Sequence, residues 1–285
     1  MALKIEKAAG IGFCFGVRRA IDILEKAARE HGMVETLGAV VHNQSVLQGL
    51  AEIGVRIARD LDDIQGNIVA ISSHGVSPKI EADLQARHIE VINTTCPFVR
   101  RAQVTARRLA KSGFFVIIYG DANHPEVKGI LGWADDKGVA TLDSESITHL
   151  WQHHHPRHLG ILSQTTQIPT HFIEFAKKLV DYTMTKDSEL RIIDTICHDI
   201  RYRQDAALKV ANRVDLMLVI GGHTSANTNH LVELCSTVTK TYLVETADDI
   251  QTDWFHGHSC AGITAGASTA EQSINEVLTR LKTLA

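Results

Sequence analysis

Three cysteines, far apart in the chain, have the spacing expected of a shared chemical site. Cys14, Cys96 and Cys197 lie 82 and 101 residues apart, and similar residues follow each of them. An arginine stands four residues after each cysteine, and a glycine stands twenty-four residues after it. These positions are Arg18, Arg100 and Arg201, and Gly38, Gly120 and Gly221. Self-similarity at fixed offsets predicts three copies of one structural unit, each with a single cysteine.

Three convergent thiolates favour an iron–sulfur cluster over a zinc ion. Structural zinc sites usually have four ligands, often in close Cys-x-x-Cys pairs, and this chain has no such pair. A cubane 4Fe–4S cluster normally has four thiolate ligands, so a cluster with three keeps one iron open to a substrate. We therefore predict one 4Fe–4S cluster held by Cys14, Cys96 and Cys197, with one open iron. A zinc-dependent hydrolase with Cys and His ligands is an alternative, and it predicts a colourless protein.

The remaining two cysteines, Cys235 and Cys260, are expected to be structural. They stand in the apolar segments HLVELCSTV and CAGITAG, without counterparts in the other copies. A cysteine in such a setting is usually buried and inert. An odd number of widely spread cysteines is also unlike the disulfide framework of a small secreted domain, so we expect reduced thiols.

Each cysteine is followed by the pattern of a helix. Apolar residues recur ten, thirteen and fourteen residues after it, which is helical spacing. These residues are Leu24, Ala27 and Ala28, then Ala106, Leu109 and Ala110, then Ala207, Val210 and Ala211. In two copies the helix leads into FFVIIYG or DLMLVIGG, apolar runs typical of strands buried on both faces of a parallel sheet. A strand, the cysteine, a helix and a second strand predict a βαβ unit.

Two polar loops in each copy are predicted to surround the cysteines. The first lies 28 residues after each cysteine and contains His42, His124 and Ser225. The second follows a predicted strand, in the segments IVAISSHGVSP, HLGILSQTTQIP and GITAGAST. Its polar residues are His74, then Thr165 and Thr166, then Ser268 and Thr269. The carboxyl ends of parallel strands are where open α/β sheets bind ligands, so both sets of loops are candidate binding elements.

The predicted fold class is α/β, with three small α/β domains that have parallel sheets. The predicted domains are residues 1–95, 96–194 and 195–285, and each has the size of a small domain. An arrangement around a pseudo-threefold axis would bring the equivalent cysteines together. We therefore predict a trefoil of three domains around a central iron–sulfur cluster.

The composition indicates a globular protein and limits its partners. Apolar residues make up 44% of the 285 residues, enough for a buried core. A net charge of -4 with 22% charged residues lacks the basic excess that would suggest nucleic acid or an anionic membrane. The start, MALKIEKAAG, has no apolar signal region, and no apolar run approaches the roughly 20 residues that span a bilayer. We expect a cytoplasmic protein that binds neither nucleic acid nor membranes.

Nine short segments, taken in chain order, resemble the successive motifs of a known enzyme family. They are GFCFGV (Cys14), VVHN (His42), SSHGVS (His74), TTCP (Cys96), GDANHPEV (His124 and Glu126), SQTT (Thr165), TIC (Cys197), TSANTN (Ser225 and Asn227) and TAGAS (Ser268). Across nearly the whole chain they resemble the 4-hydroxy-3-methylbut-2-enyl diphosphate reductase family. That family is a trefoil of three α/β domains around a 4Fe–4S cluster, which agrees with the repeat.

The resemblance implies a two-electron, two-proton reductive dehydroxylation of (E)-4-hydroxy-3-methylbut-2-enyl diphosphate. The products would be isopentenyl and dimethylallyl diphosphates, in the last step of the non-mevalonate isoprenoid pathway. Glu126 matches the family's proton donor, and Thr165 matches a hydroxyl that relays or orients the proton. The residues that match the substrate-binding ring are His42, His74, His124, Thr165, Ser225, Asn227 and Ser268. A small ferredoxin or flavodoxin is the implied electron donor.

After the third cysteine the chain departs from the family pattern. The family usually has a small residue and Thr before its Arg-Gln, whereas CHDIRYRQ has Asp199 and Ile200 in those places. We expect this change to affect the cluster potential or the choice of substrate. Ala226 stands where some relatives have Ser, so a contact at that position would come from the backbone.

A non-catalytic iron–sulfur sensor that binds a phosphorylated effector is the alternative function. Glu126 argues against it, because recognition of a polyanion gains nothing from a carboxylate at that place. The run of histidines at His153 to His155, within WQHHHPRH, is expected to be a solvated linker instead of a metal site.

Overall fold

The computed structural model describes residues 3–41, 43–135, 137–151, 156–184 and 187–284. Within them, parallel strands alternate with helices, so the predicted α/β class is confirmed. The strands are β1 (Lys4–Lys7), β2 (Val34–Leu37), β3 (Val55–Ala58), β4 (Ile68–Ile71), β5 (Glu90–Asn93), β6 (Phe115–Tyr119), β7 (Gly138–Thr141), β8 (His158–Ser163), β9 (Glu189–Ile193), β10 (Leu216–Ile220), β11 (Lys240–Val244) and β12 (Cys260–Ala265). The helices are α1 (Phe15–His31), α2 (Gln44–Glu52), α3 (Pro78–Ala86), α4 (Pro97–Lys111), α5 (Pro125–Trp133), α6 (Ser144–Leu150), α7 (Pro169–Thr183), α8 (His198–Ala211), α9 (Ala226–Ser236) and α10 (Glu271–Leu284), with short 3₁₀ turns at Ala247–Asp249 and Thr252–Phe255.

The chain forms two compact units, which are described separately. The first unit comprises Met1–Ile21, Val41–Ile53 and His198–Ala285, and it contains one sheet, made of β1, β12, β10 and β11. The second unit comprises Asp22–Val40 and Gly54–Cys197. It contains two sheets, made of β2 to β5 and of β6 to β9.

All three sheets have four parallel strands in an equivalent order. The order is β3-β2-β4-β5 in one sheet, β7-β6-β8-β9 in the next and β11-β10-β12-β1 in the third. In each sheet, the strand before the shared glycine pairs with the strand that follows it in the chain. The strand before the second polar loop lies on its other side, and a fourth strand completes the edge. The repeat inferred from the cysteine offsets is therefore present as a repeated sheet topology.

The N-terminal strand β1 takes the edge position that β5 and β9 have in the other two sheets. It pairs in parallel with β12, with Lys4 opposite Cys260. The sheet at residues 216–265 therefore includes a strand from the predicted first domain. Each cysteine follows such an edge strand: β1 precedes Cys14, β5 precedes Cys96 and β9 precedes Cys197. The division into residues 1–95, 96–194 and 195–285 stays a prediction.

The predicted βαβ unit around each cysteine is wrong. Strands β5 and β6 flank Cys96 and α4, but they belong to different sheets. Strands β9 and β10 flank Cys197 and α8, and they also belong to two different sheets. A strand–helix–strand pattern does not specify which sheet the second strand joins, and successive strands are neighbours only about two-thirds of the time. The βαβ units are instead β6–α5–β7 and β10–α9–β11, in which the two strands are paired and parallel. The shared glycine directly follows the first strand of each unit.

The predicted helices and central strands are confirmed by their burial. All nine apolar residues at the shared offsets lie in α1, α4 or α8, and all are buried. In β6, Val116 and Ile118 pack in one apolar cluster with residues of α4, whereas Ile117 and Tyr119 pack in another with residues of α7. The strand is thus buried on both faces, as its continuous apolar run predicts. In the described parts of the chain, no helix combines the length and apolar character needed to cross a bilayer.

Candidate functional site

Each of the three cysteines is fixed by an equivalent backbone hydrogen bond. The amides of Cys14, Cys96 and Cys197 donate to the carbonyl oxygens of Ala267, Ser73 and Thr165, at 2.9, 3.0 and 2.9 Å. Each acceptor lies two residues beyond the end of its strand, β12, β4 or β8, in the second polar loop. Each cysteine is therefore tied to the second polar loop of the copy before it, and Cys14 is tied to that loop of the last copy.

Each cysteine also stands directly before a helix, and none of the three forms a disulfide. The N-terminus of a helix favours negative charge, which suits a thiolate ligand. At Cys14, the Val17 amide donates to Sγ at 3.4 Å. Burial raises the pKa of the Cys14 thiol, an effect opposed by the Val17 hydrogen bond and by the charge of Arg203, while Asp199 raises the pKa further. A bound metal ion is the kind of charge that would keep such a buried thiol deprotonated.

The predicted proton donor, Glu126, lies in a buried hydrogen-bonded pair in the second unit. It occupies the first turn of α5, and only 2% of its surface is exposed. Its Oε1 accepts a hydrogen bond from the Thr165 amide at 2.7 Å, and its Oε2 accepts one from the Thr165 hydroxyl at 2.9 Å. The Thr165 carbonyl oxygen also accepts a hydrogen bond from the Cys197 amide. Thr165 therefore connects the carboxyl group of Glu126 to Cys197.

This environment tunes the carboxyl group of Glu126 to neutral pH. Burial raises the pKa of Glu126 from its ordinary 4.5 to about 7, against the opposing effect of the two hydrogen bonds from Thr165. A carboxyl group with a pKa near the working pH can both hold and release a proton. The pair therefore has the properties of a general acid.

Two histidines continue the contacts from Glu126. His124 caps the N-terminus of α5, where its Nδ1 accepts a hydrogen bond from the Glu126 amide at 3.2 Å. The His74 ring meets the His124 ring edge to face, with centroids 5.4 Å apart. His74 follows Ser73, the residue whose carbonyl holds Cys96. In the second unit, the predicted site residues thus form one continuous series, in which each residue contacts the next or is adjacent to it in sequence. The series is Cys96, Ser73, His74, His124, Glu126, Thr165 and Cys197.

The first unit contains the neutral polar residues of the predicted site. Ser225 caps α9, and its Oγ accepts a hydrogen bond from the Thr228 amide at 3.4 Å. Asn227 is 4% exposed, yet neither atom of its amide group has a hydrogen-bond partner, and the Thr228 hydroxyl also has none. The buried Ser268 follows Ala267, whose carbonyl holds Cys14. A buried polar group without a partner costs about 1–3 kcal/mol, so these atoms mark a place that a polar ligand would complete.

Comparison with known proteins identifies the family. Residues 5–282, nearly the whole chain, match the family described as LytB protein. The chain belongs to the LytB family. Among its relatives, the 4-hydroxy-3-methylbut-2-enyl diphosphate reductase of Dehalococcoides mccartyi (strain CBDB1) is 59% identical over 282 residues, which cover 99% of each chain. The reductase of the same name from Geobacter sulfurreducens is 40% identical over 281 residues, which cover 98% of this chain and 97% of that one.

Solved structures of LytB-like reductases share the fold. The structure of (E)-4-hydroxy-3-methyl-but-2-enyl diphosphate reductase, described as the terminal enzyme of the non-mevalonate pathway, superposes with a TM-score of 0.71, at 35% identity and 99% coverage of both chains. The E-1-hydroxy-2-methyl-but-2-enyl-4-diphosphate reductase from Plasmodium falciparum has a TM-score of 0.91 at 25% identity, with 98% of this chain and 88% of that chain covered. The family resemblance seen in the sequence motifs is therefore confirmed. The alternative of a non-catalytic sensor is not favoured by these relatives.

Several predictions about this LytB chain remain predictions. His42 and the run His153 to His155 lie outside the described residues. Cys14 belongs to the first unit, whereas Cys96 and Cys197 belong to the second. Within the described ranges, no three His, Cys, Asp or Glu side chains form a group that could hold a metal ion. The ligand set and the roles of the site residues stay predictions.

The two departures from the family pattern have distinct surroundings. Asp199 accepts a hydrogen bond from Nε of Arg203 at 2.9 Å, and Ile200 is buried. Sequence reasoning noted Asp199 but missed its partner, although an Asp and an Arg four residues apart on a helix would have indicated the pair. It also missed the carbonyls of Ser73 and Ala267, for which the sequence gives no signal because any residue supplies a carbonyl.

The two remaining cysteines differ from each other. Cys235 is fully buried in an apolar cluster of the first unit, as predicted. Cys260 is only partly buried, so the expectation of a buried site is wrong there. It opens β12, where its amide donates a hydrogen bond to the carboxylate of Asp215, and it packs against the edge of the apolar cluster that contains Cys235.

Proposed function

We propose that this LytB family member reduces (E)-4-hydroxy-3-methylbut-2-enyl diphosphate to isopentenyl and dimethylallyl diphosphates, the last step of the non-mevalonate isoprenoid pathway. In this reaction the allylic alcohol takes up two electrons and two protons. The carbon–oxygen bond breaks, the oxygen leaves as water, and a carbon–hydrogen bond forms. The main structural support is the buried Glu126–Thr165 pair, with its carboxyl pKa of about 7, in a chain 59% identical to a reductase of that name.

The proposed cofactor is one 4Fe–4S cluster held by Cys14, Cys96 and Cys197. Three features of the described residues fit it: none of the three cysteines forms a disulfide, each precedes a helix, and the backbone amide of each is hydrogen-bonded to a polar loop. When bound, such a cluster supplies the electrons and, at its open iron, a Lewis acid that polarises the bond to be broken.

Glu126 is the proposed proton donor to the departing hydroxyl oxygen. Its protonated form predominates below a pH of about 7, so a proton is available at neutral pH. The Thr165 hydroxyl, 2.9 Å from the carboxyl group, would orient that group and relay the proton. Burial also excludes bulk water, which directs the proton to the substrate.

The diphosphate is proposed to bind at neutral and imidazole donors. Ser225, Asn227 and Ser268 would supply neutral donors, and the unpartnered Asn227 amide group is the strongest indication of a missing polar ligand. His42, His74 and His124 would add imidazole donors, which bind phosphate oxygens more strongly when protonated. Local donors of this kind allow a chain of net charge -4 to bind a polyanion.

The electron donor is proposed to be a small ferredoxin or flavodoxin, and the protein is proposed to act in the cytoplasm. The electron donor follows from the family resemblance.

Anaerobic reconstitution followed by an activity assay tests the proposal. The protein should become brown with about four irons per chain, and it should convert the allylic diphosphate to both products with an artificial reductant. A colourless protein that contains zinc would support the hydrolase alternative instead. A brown protein that leaves this substrate unchanged would contradict the assigned reaction.

A further inference from the structure

A buried ion pair contacts the loop that leads to Cys14. Arg203 is 5% exposed, and its Nε donates to Asp199 Oδ2 at 2.9 Å. Its Nη1 donates to the carbonyl oxygen of Gly12 at 2.7 Å. Gly12 stands two residues before Cys14, and all four of these residues belong to the first unit. A single guanidinium group therefore connects helix α8 to the Cys14 loop.

The same loop is held at further points. Gly10 and Gly12 have φ values of +73° and +96°, in the region that L side chains rarely adopt. A Cβ atom on Gly10 would lie only 2.9 Å from the ring of Tyr202, the neighbour of Arg203 in α8. The Cys14 amide is bound by Ala267. The loop therefore follows a tight path against α8, and Arg203 provides its polar anchor.

This anchor exists in only one of the three copies. The residue six positions after the cysteine is Ala20 or Ala102 in the other two, both fully buried, and it is Arg203 in the third. The residue two positions after the cysteine is Gly16 or Phe98 in the other copies and Asp199 in the third. Asp199 and Arg203 place one negative and one positive charge against the loop that leads to Cys14. The pair thus adds a local charge arrangement that the repeat itself does not require.

We propose that the Asp199–Arg203 pair is a positioning device for the cluster: Arg203 holds the Cys14 loop in place for metal binding, and Asp199 balances the charge of Arg203 and so sets the reduction potential. The inference rests on the proposed function, because it takes Cys14 as a ligand. It assigns a purpose to Asp199, one of the two residues after Cys197 by which this chain departs from the family pattern. Arg203 and Asp199 are positioning residues in this scheme, without contact to the substrate.

Two variants separate the two roles. Arg203→Lys keeps the positive charge but lacks the planar group that reaches Asp199 and Gly12 together. Cluster loss to a chelator should become about tenfold faster, as for other outer-shell changes at metal sites. Anaerobic alkylation mapped by mass spectrometry should find Cys14 modified first, while Cys96 and Cys197 stay protected.

Asp199→Asn keeps an oxygen that can accept the Arg203 hydrogen bond but removes the negative charge. The uncompensated guanidinium group then favours the reduced, more negative cluster, so the midpoint potential should shift to a more positive value. Cluster loss to the chelator should stay at the wild-type rate. Glu25→Gln is the matched control, because it removes one negative charge from an exposed pair with Arg29 on α1.

The outcomes distinguish this inference from the proposed function. Wild-type protein that takes up no cluster would contradict the proposed function itself. If the wild type takes up the cluster, an Asp199→Asn potential equal to that of Glu25→Gln would overturn the charge-balancing role. Equal alkylation of all three cysteines in folded Arg203→Lys would overturn the anchoring role. Should circular dichroism show that Arg203→Lys is unfolded, the potential of Asp199→Asn decides.

Discussion

Glu126 and Asn227 occupy the same position in two copies of the repeat, yet their surroundings are opposite. Each stands thirty residues after its cysteine and two residues after the residue that caps its helix, His124 or Ser225. Both are buried. The carboxyl group of Glu126 accepts two hydrogen bonds from Thr165, whereas the amide group of Asn227 has no partner.

The neighbouring loops differ at the equivalent position. Thr165 lies two residues past the end of β8, and its counterpart two residues past β12 is Ala267, which has no hydroxyl group. Both loops hold a cysteine by the same backbone hydrogen bond. The backbone repeats at both positions, whereas the side chains decide whether a buried polar group has a hydrogen-bond partner.

Glu126→Gln should have the largest effect on turnover. The amide cannot donate the proton that water loss requires, so kcat should fall about 10²–10⁴-fold, the usual contribution of general acid catalysis. KM should change little, because the diphosphate donors are untouched. Steady-state kinetics on the reconstituted enzyme, with iron content matched to the wild type, would measure both. Wild-type turnover by this variant would remove the proton-donor role.

The same variant should change the pH dependence of stability. The carboxyl group has a pKa of about 7 in the folded chain and about 4.5 when unfolded, so between these values the folded state holds a proton that the unfolded state has lost. The free energy of unfolding contributed by Glu126 is therefore present below pH 4.5 and is lost as the pH rises through 7. Relative to Glu126→Gln, the wild type should lose about 3 kcal/mol across this interval. Urea unfolding of both proteins at several pH values would show a constant difference if Glu126 were not perturbed.

Asn227→Leu should make the ligand-free protein more stable and should weaken its binding of the diphosphate. Without ligand, replacing an unpartnered buried amide by an apolar group of similar size should raise the free energy of unfolding by about 1 kcal/mol. KM for the diphosphate should rise about tenfold, and added pyrophosphate should no longer raise the melting temperature. The exposed Asn275→Leu is a control that should change neither quantity. A destabilised Asn227→Leu protein with normal KM would mean that Asn227 has a partner inside the fold.

Thr165→Val should have the smallest effect and should refine the comparison by imitating Ala267. It removes the hydroxyl hydrogen bond to Glu126 and keeps the one from the backbone amide. Since the hydroxyl lowers the pKa of Glu126, its loss should raise that pKa and move the alkaline limb of kcat/KM to higher pH. Stability should fall by about 1 kcal/mol. An unmoved limb in the pH–rate profile would show that Glu126 is not the group that titrates.

The sequence predicts the local features of the fold well. Helical spacing at Leu24, Ala106 and Ala207 depends only on near neighbours, and so does the apolar run of β6. Which sheet a strand joins depends on pairing between distant segments. For that reason the pairing of β1 with β12 was not predicted, and the strands before and after Cys96 were wrongly expected to form one βαβ unit.

The sequence predicts the residues of the candidate site but not the hydrogen bonds between them. Family motifs identify Glu126 and Thr165, yet the two hydrogen bonds between them join positions 39 residues apart. The Arg203 contact with Gly12 spans 191 residues. No local pattern indicates such a contact, because the acceptor is a backbone carbonyl that every residue has. Only the folded chain shows that a departure at Asp199 is coupled to the Cys14 loop.

The central proposal is that three equivalent cysteines hold one cluster and leave one iron open. Mössbauer spectroscopy of the reconstituted protein, recorded with and without the allylic diphosphate, tests it most directly. We predict a 4Fe–4S spectrum in which one iron differs from the rest, and only the signal of that iron should shift when the diphosphate is added. Replacing Cys14, Cys96 or Cys197 by Ala should abolish this signal. A spectrum in which all irons are alike and unmoved by the diphosphate would contradict the account, as would an intact cluster in any of the three variants.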